Sequence, residues 1–199
     1  ATIGMDHIDL DYCHKKGIEV YNAEGCNSGG VMQYVFSALY GVASRKAIKL
    51  DDFTFGVIGV GNVGSKVAAL AGLLGFKVLR CDPPRAEKEG SEDFCSLDYL
   101  LANSNVVTLH VPLNETTRGM ADEEFFTLMQ PGSIFINAAR GEVVDEEALK
   151  EMVSTKSLAK FRAKALSPDS PVTRGTAQNA DVYFQAREAC NQYYDAVPD

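Results

Sequence analysis

At 199 residues, with 46% hydrophobic and 23% charged side chains, the chain has the composition of an ordinary globular protein of one or two domains. Its net charge of −8, without a basic stripe or Lys/Arg cluster, argues against nucleic acid or an anionic membrane as partner. No apolar run approaches the ~18 residues of a membrane span, and no signal peptide is visible.

In chain order, Ala1–Gly4 reads as the end of a buried strand, Asp9–Lys16 as a short helix stopped by Gly17, and Ile18–Tyr21 as a second short strand. Residues 22–30 form a Gly/Asn-rich, hinge-like loop. Val31–Ser44 predicts a helix, because Val31, Tyr34, Val35, Ala38, Leu39 and Val42 recur at helical spacing. From Phe53 strand and helix alternate. The expected strands are Thr54–Val60, Lys77–Cys81, Val106–Val111 and Ser133–Asn137, and the helices between them are Gly64–Leu74, Ser96–Ala102 and Asp122–Met129. Asp145–Met152 makes a further helix, N-capped by Asp145. The strands are near-continuous apolar runs, the pattern of a parallel sheet covered on both faces, so the fold class is α/β, a Rossmann-type doubly wound sheet. Beyond it, residues 166–181 read as loop and Val182–Tyr194 as an amphipathic helix.

The chemistry concentrates at Gly59-Val60-Gly61-Asn62-Val63-Gly64, a G-x-G-x-x-G that follows an apolar strand and opens a helix. Gly59 allows the tight turn, Gly61 lets the backbone approach a pyrophosphate, and Gly64 lets helix and strand pack closely. The N–H groups of Asn62 and Val63 would point at the phosphates, aided by the helix dipole. Asp82, at the end of the next strand, stands where a carboxylate accepts hydrogen bonds from the adenosine ribose and repels a 2′-phosphate. The expected cofactor is therefore NAD rather than NADP, with Arg85 close enough in sequence to bear on the choice. The five cysteines contain no C-x-x-C pair, and there are only three histidines. No metal site is expected, and the thiols suit a reducing cytoplasm.

The segments GVIGVGNVGSKV, CDPPRAEKEG, VVTLHVPLNETT, MADEE and PGSIFINAARGEVVDEEAL together resemble the D-isomer-specific 2-hydroxyacid dehydrogenases over roughly residues 1–150. ATIGMDHIDLDYCHKKGIEV and CDPPRA look most like the erythronate-4-phosphate dehydrogenase subgroup, which serves pyridoxal phosphate synthesis. The resemblance implies a phosphorylated 2-hydroxy acid as substrate and a homodimer. It implies that Arg140, in the N-x-x-R-G motif, is catalytic: a guanidinium can grip the substrate carboxylate and polarise the carbonyl. Thr2 and Gly4 would touch substrate. Val111, where relatives usually carry Thr, would reach the cofactor through its backbone or not at all. His110 is implied to be a strand-end residue near the cofactor rather than catalytic. Glu24 and Gln33 replace the Pro and Glu usual in the family, at the hinge and away from the chemistry.

The family also uses a Glu in an E-P segment and a later His as proton donor and acceptor. Here no histidine follows His110 and no E-P pair follows Arg140. Residues 160–198 instead resemble a stretch of the pyruvate:ferredoxin (flavodoxin) oxidoreductases, without that family's thiamine-diphosphate residues or cluster cysteines. The expectation is a truncated or chimeric reading frame with its seam near Lys150–Lys156 and its true start upstream of Ala1. Residues 1–30 would be a remnant of the substrate domain and hinge, 31–152 the NAD-binding domain, and 153–199 a foreign, irregular or helical tail. A non-catalytic NAD-binding module, or a fragment of the second family, are the alternative readings to a 2-hydroxyacid dehydrogenase that has lost turnover.

Overall fold

The computed structural model describes residue 5 and residues 8–153. The strand expected at Ala1–Gly4, the loop at 166–181 and the helix at Val182–Tyr194 lie outside the described residues.

Helix α1 (Leu10–Lys15) is capped by Asp9, whose carboxylate accepts from the Tyr12 N–H at 2.8 Å, and it ends before Gly17 at φ +67°. Ile18–Tyr21 is not a strand. Ile18 and Tyr21 are exposed, and no strand among the described residues lies beside them to complete a ladder. Helix α2 (Ser28–Lys46) starts three residues before the apolar periodicity does, so Gly29 and Gly30 are helical rather than part of the loop. Its buried face is Val35, Phe36, Leu39, Val42 and Ala43. Tyr34, expected on that face, is exposed.

Four parallel strands follow: β1 (Thr54–Ile58), β2 (Lys77–Cys81), β3 (Val106–Leu109) and β4 (Ile134–Asn137), in the order β2-β1-β3-β4. They are joined by α3 (Asn62–Leu73), α4 (Pro83–Glu89), α5 (Leu97–Asn103) and α6 (Glu123–Leu128), and α7 (Glu146–Val153) follows β4. Helix α4 was not expected, since two prolines open it. Proline suits a first turn, where its missing N–H costs no intrahelical bond, and Asp82 caps it by accepting from the Arg85 N–H at 3.1 Å. Strands β1 and β3 are shorter than expected at their carboxyl ends, because the chain leaves the ladder at Gly59 and after Leu109 to build loops.

Alternation along β1 divides the core. Phe55 and Val57 pack with α2 and α3, where the rings of Phe36, Phe55 and Phe76 meet at 5.5–5.6 Å between centroids. Ile58 faces α5, α6 and α7 together with a cluster of Phe125, Phe126 and Phe135. β1, β3 and β4 are buried on both faces, as their apolar runs required, whereas β2, with Lys77 and Arg80, is partly exposed. Among the described residues β4 pairs only with β3. A cavity of about 360 Å³ lies beside it, lined in part by Leu39, Val42, Ile136, Val144 and Leu149.

Candidate functional site

After β2 the chain crosses back over β1 to form β3, so the strand order reverses between β1 and β3. In an open α/β sheet, the crevice at the carboxyl ends of such strands is where ligands bind. Ile58, Leu109 and Asn137 are in register across β1, β3 and β4. The loops that follow them therefore stand side by side, successive strands being about 4.8 Å apart.

The glycine turn is built tightly. Gly59 has φ +82°, and a Cβ there would sit 2.8 Å from the backbone of His110 and 2.9 Å from Val111 Cγ1. A Cβ on Gly64 would lie 1.9 Å from the Gly59 carbonyl oxygen. At Gly61 the same test meets nothing within 4 Å. Gly61 is also the N-cap of α3 and offers no side chain to it. The N–H groups of Asn62 and Val63 belong to that first turn, which has no intrahelical acceptors. The result is an exposed helix start with free donors next to an open backbone position.

Asp82 is wired into this turn. One carboxylate oxygen accepts from the Val60 N–H at 2.7 Å and the other from the Arg85 N–H. Arg85 folds back over the turn, donating to the Val60 carbonyl and to Ser65 Oγ. Its remaining nitrogens pair with Glu89, Nε with Oε1 at 2.7 Å and Nη2 with Oε2 at 2.5 Å. Lys66 Nζ donates to Ser28 Oγ at 2.6 Å, which ties the start of α2 to the second turn of α3.

On the next strand, His110 Nε2 is 3.1 Å from Thr108 Oγ1, and its buried Nδ1 has no hydrogen-bond partner among the described residues. Burial pushes its pKa down to about 4, so the ring is neutral near pH 7. Val111 packs its side chain against the Gly59 turn. Beyond β4, Asn137 pins the loop that carries Arg140: its Nδ2 donates to the Arg140 carbonyl at 2.7 Å, and its Oδ1 accepts from the Ala139 N–H at 3.0 Å. Arg140 lines the cavity beside β4 with its neighbours Ala139 and Gly141.

The structure thus places Gly59, Gly61, Asn62, Val63, Gly64, Asp82, Val111 and Arg140 in the segments that follow the carboxyl ends of the strands. Thr2 and Gly4 lie outside the described residues. Sequence reasoning assigned nothing to Glu89, Ser65, Lys66 or Asn137. The i,i+4 spacing of Arg85 and Glu89 would have signalled their pairing once α4 was seen as a helix. Among the described residues no cluster of His, Cys, Asp and Glu could hold a metal ion, and no helix is long and apolar enough to cross a membrane.

Residues 38–174 match the family model described as "D-isomer specific 2-hydroxyacid dehydrogenase, NAD binding domain", a match that runs past the expected seam. An erythronate-4-phosphate dehydrogenase of Bacteroides fragilis is 44% identical over 163 residues, covering 80% of this chain and 47% of the relative. The chain spans somewhat under half the length of the curated relatives it matches. Among solved structures, the D-lactate dehydrogenase of Aquifex aeolicus, complexed with NAD and lactic acid, is 29% identical with a TM-score of 0.63. That alignment covers 100% of this chain and 61% of that one. An acyclic imino acid reductase in complex with NADPH and D-Arg is 26% identical with a TM-score of 0.65, covering 81% of this chain and 57% of that one.

Proposed function

Because the chain belongs to the D-isomer-specific 2-hydroxyacid dehydrogenases and carries their NAD-binding domain, we propose that it holds NAD along the carboxyl ends of β1, β3 and β4. Residues 31–152 form the binding unit in this reading, and residues 1–30 belong to the substrate half. The observation that carries it is the glycine turn, open at Gly61, leading into an uncapped helix and hydrogen-bonded to Asp82. This arrangement fits a dinucleotide. Backbone N–H groups of Asn62 and Val63 take the pyrophosphate. Each oxygen of Asp82 keeps a lone pair for a ribose hydroxyl, since each already accepts only one backbone bond.

The enzyme to which this unit belongs transfers a hydride between NAD and a 2-hydroxy acid. Relatives named erythronate-4-phosphate dehydrogenase at 43–47% identity favour a phosphorylated acid as substrate, 4-phosphoerythronate in the first instance, within pyridoxal phosphate synthesis. NAD supplies the hydride acceptor. Arg140 grips the substrate carboxylate and stabilises charge on the reacting oxygen, with Asn137 holding its loop in place. Thr2 and Gly4 add contacts to substrate, and Val111 contributes through the wall of the turn. A neutral His110, half-enclosed and facing Thr108, is a wall of the cofactor crevice rather than a proton carrier. The free thiols of Cys13, Cys26, Cys81 and Cys95 suit a reducing cytoplasm. Two copies associate as a homodimer, which light scattering would detect.

With no histidine after His110, the 199-residue chain by itself should bind NAD with little turnover. Calorimetric titration with NAD, beside an assay of NAD reduction with 4-phosphoerythronate, tests both halves. No heat of NAD binding would overturn the site. Turnover at rates typical of enzymes, ~1–1000 per second, would overturn the inactivity. The second reading, a non-catalytic NAD-binding module, predicts NAD binding without any affinity for a 2-hydroxy acid.

A further inference from the structure

Arg85 donates its backbone N–H to Asp82, the proposed ribose acid, and its guanidinium is held by several partners. Glu89, one turn along α4, takes Nε and Nη2 in a two-pronged pair. The Val60 carbonyl and Ser65 Oγ take Nη1. The Phe94 ring lies 5.7 Å from the guanidinium carbon. Arg85 therefore sits over the glycine turn with its charge matched by a carboxylate. The pairing raises the pKa of Arg85 and holds that of Glu89 below the usual carboxylate range, in each case chiefly through this hydrogen bond.

The fold alone does not choose a coenzyme, since its neighbours include one complexed with NAD and one with NADPH. A phosphate on the adenosine ribose carries about −1.5 to −2 charge, taking phosphorylated side chains as a guide. Asp82 opposes such a group. An unpaired guanidinium in the position of Arg85 would welcome it, because its planar fork matches phosphate oxygens. We propose that Glu89 is a specificity-determining residue of the coenzyme site: by occupying and neutralising Arg85, it withholds the guanidinium from a 2′-phosphate and so selects NAD against NADP. Asp82 supplies the repulsion, and Glu89 removes the attraction that would offset it. The inference rests on the NAD site proposed above.

The test is fluorescence titration of the full chain with NADH and NADPH, in the wild type, in Glu89→Gln, and in Arg85→Ala/Glu89→Gln. Circular dichroism would establish that each variant is folded. Glu89→Gln should raise NADPH affinity relative to NADH by roughly five- to tenfold, the scale of one charge at a partly exposed site facing a doubly charged group. The gain should shrink as salt is raised and vanish in the double variant. An unchanged ratio in Glu89→Gln, with NADH still bound, would overturn this inference and leave the NAD site standing. A gain that survives removal of Arg85 would overturn it equally. Wild-type chain that binds neither coenzyme would overturn both readings.

Discussion

Gly61→Ala should separate the cofactor site from the fold that carries it. The new methyl meets no atom within 4 Å, and the backbone at Gly61, φ −74° and ψ −151°, is extended. Two small effects oppose each other: Ala is a poorer N-cap than Gly, but it restricts the unfolded chain, worth ~0.4–1 kcal/mol of stability. The net change should stay within ~0.5 kcal/mol, or about 1–2 °C in Tm for a chain of this size. NAD affinity should respond differently, because a pyrophosphate resting on that backbone would meet the methyl. Overpacking of one carbon costs ~1–3 kcal/mol, so Kd should rise by roughly 5- to 150-fold. Thermal melts by circular dichroism and calorimetric NAD titration on the same preparation read the two quantities. An unaltered Kd would refute the placement of the pyrophosphate at Gly61. A large fall in Tm would refute the claim that the position is open.

Gly64→Ala is the counterpart. Its methyl would lie 1.9 Å from the Gly59 carbonyl oxygen, a backbone atom that cannot swing aside, so urea unfolding should show a loss of at least ~3 kcal/mol. The Asp122 carboxylate accepts from the Phe125 N–H at 2.9 Å, and Asp122→Ala should cost ~1 kcal/mol in the same melts by uncapping α6. His110 titrates near 4 when folded, below its ordinary value of ~6.5 in the unfolded chain. The unfolded state therefore binds the extra proton first, and stability should fall as pH drops from 6.5 towards 4, by up to ~3 kcal/mol. His110→Gln should flatten that part of the pH profile, and an identical slope in the variant would rule His110 out as its source. If Arg140 holds the substrate carboxylate as proposed, Arg140→Ala should weaken capture of 4-phosphoerythronate by the NAD-loaded chain at least tenfold, as read by calorimetry.

The regular part of the architecture was legible because its signals are local. Apolar runs marked β1, β3 and β4, and β2 matched its expected bounds because Gly75 and Asp82 punctuate both ends. The glycine turn and Asp82 were legible because Gly59 and Gly64 leave no room for a Cβ and the turn takes a carboxylate as acceptor for the Val60 N–H. Other features depended on tertiary partners. Ile18–Tyr21 has strand-forming residues, but a strand exists only beside another, and periodicity cannot supply the neighbour. Helix α4 was masked by Pro83 and Pro84, which read as breakers until their place in a first turn is known. Losing α4 also hid the pairing of Arg85 with Glu89. Asn137 stood in the N-x-x-R-G motif without a role, because its bracing of the Arg140 loop runs through backbone bonds that the motif does not spell out.

The double anchorage of Asp82 has an evolutionary corollary. Its carboxylate joins the Val60 N–H of the turn to the Arg85 N–H of α4, so a replacement without a side-chain acceptor unpins the turn and uncaps α4 together. A lineage changing coenzyme by mutating Asp82 first would pass through a weakened protein. Glu89 is half-exposed on α4, and a single base substitution converts its codon to glutamine or lysine. If Glu89 withholds Arg85 as proposed, the accessible path towards a phosphorylated coenzyme runs through Glu89 before it reaches Asp82.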